Sequence, residues 1–114
     1  MKPLPLVFAG ALLALAALGS APAAAQSFNC NFARLPVEVA ICDDPTLASE
    51  DEEMSSEYYQ LTSSAPGWAA RQIRNEQRDW IAGRNACGYD MQCIMGEYRW
   101  RLQQFGEWRD QLGF

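Results

Sequence analysis

Histidine is absent from this 114-residue chain, and lysine occurs once, as Lys2. Without histidine the familiar nucleophile–base pairs cannot form, and mixed Cys–His zinc sites fall away. Valine, isoleucine and threonine are scarce after residue 26. No run there alternates apolar and polar residues with period two, so nothing reads as a sheet. Repeats, linkers and low-complexity tracts are also missing from that region. Nor does any second hydrophobic run follow the first one, so nothing further along reads as a membrane span.

The beginning of the chain is different. Met1-Lys2 is a short basic start, Leu6 to Leu18 is apolar, and small residues stand at Ala23 and Ala25. This three-part pattern reads as a secretory signal peptide over residues 1–25, cut after Ala25. Ser27-Phe28-Asn29 before Cys30 is not the small-residue box that precedes a lipidated cysteine. The expectation is one exported domain over residues 26–114, periplasmic or secreted, with no membrane insertion after cleavage.

Removing the leader removes Lys2. Eight Arg then face fourteen Asp and Glu, for a net charge of 8 − 14 = −6. Such a balance disfavours nucleic acid, whose phosphates require Lys and Arg. It favours cationic partners by steering their approach, and it also keeps an exported protein in solution.

All four cysteines lie beyond the leader: Cys30, Cys42, Cys87 and Cys93. An even count in a small exported chain reads as two disulfides. Zinc knuckles and thioredoxin-like centres use C-x-x-C, whereas eleven and five residues intervene here. No metal and no cofactor is expected.

Helical signals fill the remainder. Ser27 to Leu35 reads as irregular, and Pro36 opens a short helix over Val37 to Cys42. Asp44 caps the next helix, with Pro45 at its first position, running to about Thr62. Its apolar stripe is Leu47, Met54, Tyr58 and Leu61, with Asp51 in the gap. Ser63 to Gly67 reads as a turn. A third helix spans about Trp68 to Ala86. One side carries Trp68 or Ala69, Ile73, Gln77, Trp80 and Arg84, with Ile81 beside it. Gly88 stops it and Asp90 caps a fourth, Met91 to about Leu112. That stripe is Ile94, Tyr98, Arg101, Leu102, Phe105, Trp108 and Leu112. The fold class is therefore all-α: a small disulfide-stapled bundle of one short helix and three longer ones, antiparallel in sequence order. Its four tryptophans are expected to supply much of the buried area, with Trp100, off the stripe, the most exposed.

Antiparallel helix ends lie close enough for Cys87–Cys93 to close a corner, and Cys30–Cys42 can tie the irregular segment to the short helix. These pairings are favoured among three, and crossed pairings stay open. Each closes a loop of about ten residues, worth roughly 2–3 kcal/mol by chain-entropy reasoning.

The motif F-N-C-x(5)-P-V-E-V-A-I-C-D-D-P-x-L, Phe28 to Leu47, resembles the opening of the LprI-like lysozyme-inhibitor domain. Tyr58 and the block E-Q-R-D-W-I-x-x-R-N-A-C-G, Glu76 to Gly88, continue the likeness, and Cys93 matches its fourth cysteine. The resemblance covers essentially all of residues 26–114 and departs from the lipidated members. It implies a small helical envelope domain and, more weakly, inhibition of lysozyme.

Glu50-Asp51-Glu52-Glu53, extended by Glu57 one turn on, is the sharpest charge run. Four consecutive acids point around most of a helix, and in its first half they complement the dipole. They read either as a solvated face or as the surface that meets a cationic partner such as lysozyme. Arg84 stands where an apolar residue is expected and needs a carboxylate or backbone carbonyls; a structural pair with Asp51 or with Glu38 is expected. Paired carboxylates cleave glycosides at separations of about 5–9 Å, but a chain this acidic produces such pairs by chance. The expectation is a non-enzymatic binding module that occludes the cleft of a cationic lysozyme. The alternative is a structural or chaperone-like envelope protein that binds another envelope component through an aromatic patch of Trp100, Phe105 and Trp108.

Overall fold

The computed structural model describes residues 27–114, so the expected signal peptide lies outside the described residues. A single 3-10 turn, Cys30–Phe32, leads into four helices. We label them α1 (Pro36–Asp43), α2 (Pro45–Ser64), α3 (Gly67–Asn85) and α4 (Met91–Leu112). Among the described residues there is no strand, and no helix is long and apolar enough to cross a membrane.

Local chemistry sets each helix start. The Glu38 carboxylate reaches back to accept the N–H groups of Arg34 (3.0 Å) and Leu35 (3.1 Å) at the head of α1. Asp44 accepts from Thr46 N and Leu47 N (2.8 and 3.0 Å), and Pro45 has no N–H that needs an acceptor. Asp90 does the same for Cys93 N at 3.1 Å. Gly88 and Gly113 take positive φ of 61° and 80°, which closes the α3–α4 corner and ends α4. The α2–α3 turn is tighter than its composition suggests. Ser63 and Ser64 remain helical, and only Ala65 and Pro66 are extended, because proline forces the residue before it out of helical geometry.

Successive long helices run antiparallel, so α2 and α4 run parallel and share the most extensive interface. The core draws Leu47, Met54 and Leu61 from α2, Ala69, Ile73 and Trp80 from α3, and Ile94, Tyr98, Phe105 and Trp108 from α4. α1 adds Val37, Ala40 and Ile41. Burying one such large side chain stabilises by about 1.5–3 kcal/mol. Trp100 is half exposed, as its place off the stripe led us to expect, whereas Trp68 falls short of the buried-area expectation and is half exposed too.

Cys30 bonds to Cys42 and Cys87 to Cys93, with Cα separations of 5.9 and 5.6 Å. The favoured pairings are therefore the ones present. Two disulfides and no free cysteine among the described residues fit an oxidising, non-cytoplasmic compartment.

Candidate functional site

The acidic run divides once the helix is packed. Asp51 was expected on the partner-binding face, but its side chain points inward and is fully buried. The reason is its register: it lies between Leu47 and Met54 on the stripe that faces α3 and α4. Glu50, Glu53 and Glu57 follow at i, i+3 and i+7 and share one outer stripe, while Glu52 lies on the opposite flank. Glu57 is engaged already, since Arg109 of α4 donates two hydrogen bonds to it at 2.9 and 2.6 Å. Among the described residues Glu50, Glu52 and Glu53 enter no ion pair.

Asp51 anchors a buried polar cluster. It accepts the Ser27 N–H at 2.7 Å, the Ser27 hydroxyl at 2.8 Å and the Tyr98 hydroxyl at 2.6 Å. Arg84 stands 3.7 Å away and donates to the Tyr98 hydroxyl at 3.2 Å. Of the two carboxylates the sequence offered Arg84, Asp51 is its partner, and Glu38 serves as the cap of α1. The two backbone N–H groups hold the Glu38 carboxyl below its ordinary value, and the Arg84 charge adds a smaller pull the same way. Burial pushes the Tyr98 phenol far above its ordinary value, so it stays protonated and can donate to Asp51. The Arg84 guanidinium lies over the rings of both Phe28 and Trp80, 5.6 Å from each ring centre. The segment at Ser27 and Phe28 thus closes the charge pair from solvent.

A second cluster surrounds Arg101, which has no exposure. It donates to Gln77 (2.8 Å), Gln104 (2.9 Å) and the Ile73 carbonyl (3.2 Å), and lies 4.4 Å over the Phe105 ring. Burial lowers its pKa, and Glu76, 3.7 Å away, pulls in the opposite direction. Sequence reasoning singled out Arg84 for standing on an apolar stripe. Arg101 was named on the next helix's stripe in the same way but was assigned no partner. Ser27 carried no signal, because its role depends on a chain segment folding back across α2.

No family model, curated protein or solved structure matches this chain.

The expected aromatic patch is not formed. Phe105 is fully buried and Trp108 is 7 % exposed, because both lie on the α4 stripe that packs against α2 and α3. Trp100 alone of the three faces solvent, at 52 %. Among the described residues no group of three or more His, Cys, Asp or Glu is placed to hold a metal ion.

Proposed function

We propose that this chain is an exported binding module that blocks a cationic glycoside hydrolase of the lysozyme type by occupying its cleft, without turning over a substrate. One observation carries the reading. Folding takes Arg84 and Arg101 inside but only one carboxylate, Asp51. The surface of residues 27–114 is left with six Arg against thirteen Asp and Glu, a greater excess of negative charge than the sequence total implies. A rigid, stapled body with that surface is suited to meeting a basic cleft by electrostatic steering followed by steric occlusion. On α2, Glu50 and Glu53 are the free acids of the outer stripe, and Glu52 extends the charge to the opposite flank. The resemblance to LprI-like domains supports the same partner, and the disulfides support a periplasmic or secreted location.

The test is a clearing assay. The oxidised domain, residues 26–114, is titrated into lysozyme acting on a peptidoglycan suspension. Stoichiometric inhibition is expected at low salt. No inhibition at any salt, from a sample with both disulfides intact, rejects lysozyme as the partner.

A further inference from the structure

Helices α3 and α4 leave a groove of about 300 Å³ along their outer seam. Glu76, Asp79 and Gly83 stand at i, i+3 and i+7 on α3, and Glu97, Trp100 and Gln104 repeat that spacing on α4. The helices are antiparallel, so the two rows face each other. Trp80 is buried between them, its indole N–H held by the Glu97 carbonyl at 2.9 Å. Gly83 keeps the groove open at one end. A Cβ there would stand 3.9 Å from both Glu97 carboxylate oxygens, so any longer side chain would enter the space. Glycine weakens a helix interior, and no positive φ requires it at this position.

The lining is unbalanced in charge. Glu76 is offset by Arg101 and accepts the Trp108 indole N–H at 3.0 Å. Asp79 and Glu97 enter no ion pair among the described residues, and no arginine lines the groove. Inside the fold, Arg84 and Arg101 lie over the rings of Phe28, Trp80 and Phe105. The Trp100 ring is half exposed and carries no such cation. An aromatic face beside two unpaired carboxylates suits a planar cation. A guanidinium stacks on indole and is more weakly hydrated than an ammonium.

We propose that this groove is the docking site for an arginine side chain of the protein partner, with its guanidinium on Trp100 and its charge met by Asp79 and Glu97. The inference rests on the reading of the chain as a binder of a cationic protein. It places the main contact in the α3–α4 groove and leaves the α2 acids to steer the approach.

The test follows the tryptophan indole N–H signals by NMR, with Trp100 assigned from a Trp100→Phe variant. The folded, oxidised protein is titrated with Nα-acetyl-arginine amide and, separately, with its neutral counterpart Nα-acetyl-citrulline amide. The Trp100 signal is expected to move with the arginine compound and to stay in place with the citrulline one. Asp79→Asn with Glu97→Gln should weaken that response about fivefold, the usual size for exposed charge pairs. Gly83→Met, which favours the helix and fills the space, should abolish it. A Trp100 signal that stays still with the arginine compound, or moves equally with citrulline, overturns the proposal. So does an unchanged response in Gly83→Met. The lysozyme reading fails separately: a Trp100 response without lysozyme inhibition keeps the groove and discards that partner. Inhibition undiminished in Trp100→Ala and Gly83→Met keeps the partner and discards the groove.

Discussion

Asp51 accepts three hydrogen bonds at a position with no solvent exposure, and Arg84 is its countercharge. Removing one member of a buried pair leaves the other uncompensated. Arg84→Met should therefore cost about 3 kcal/mol and lower Tm by more than about 10 °C. Thermal melts of Arg84→Met, Asp51→Leu and the double variant check this. The double variant should lose less than the two singles together, since no lone buried charge remains. Tyr98 should contribute to the alkaline limb of stability. Its phenol pKa is raised in the fold, so below the ordinary tyrosine value of about 10 the proton is bound in both states. Above it the unfolded chain releases the proton and the folded one keeps it. Stability should then fall by about 1.4 kcal/mol per pH unit as pH rises through that window. Denaturation midpoints taken across it should show a shallower fall in Tyr98→Phe. The Arg84–Asp51 pair was legible as a choice between two carboxylates, because a charge on an apolar stripe needs a partner. Tyr98 as its intermediary was not, because a tyrosine on such a stripe reads only as core.

At the scale of elements, the helices follow from their stripes and caps. Asp44, Asp90, Pro36 and Pro45 fix three of the four starts; the structure extends α1 and α2 by a residue or two, shifts α3 by one residue and leaves α4 at its expected span. The two staples hold different things. Cys87–Cys93 closes a corner that Gly88 and the Asp90 cap already shape. Cys30–Cys42 secures the non-helical segment that carries Ser27 and Phe28 onto the Asp51–Arg84 pair. By loop length alone the first is worth about 2 kcal/mol and the second about 3 kcal/mol. Loss of the second also loosens the Ser27 contacts. Cys30→Ser with Cys42→Ser should lower Tm more than Cys87→Ser with Cys93→Ser, and should speed amide exchange at Tyr98 and Arg84. Equal losses would mean that the N-terminal segment holds its place without its staple.

For the whole molecule the governing quantity is the charge left outside. Two arginines enter the core and one acid does, so the surface is more acidic than the composition. Association with a cationic partner should slow steeply as salt rises, because exposed charges are screened over about 10 Å at 0.1 M. Surface-binding measurements at several salt concentrations read this directly. Glu50→Gln with Glu53→Gln should reduce the association rate at low salt and leave Tm unchanged, since neither side chain enters an ion pair among the described residues. A salt-independent association rate would remove electrostatic steering from the mechanism.

Periodicity, caps and cysteine spacing are local properties, and each is carried by residues within a few turns of one another. That is why the all-α class, the helix spans and both favoured disulfides can be read along the chain. Which charges stay outside is a different matter. It depends on the rotation of each helix about its axis and on what crosses it from afar. Asp51 turned inward, Glu57 was taken up by an arginine 52 residues away, and Phe105 and Trp108 went into the core. The groove at Trp100 forms only where α3 and α4 bring two separate rows of residues face to face. Contacts of that kind join positions that the order of the chain keeps apart, and only packing in three dimensions selects them.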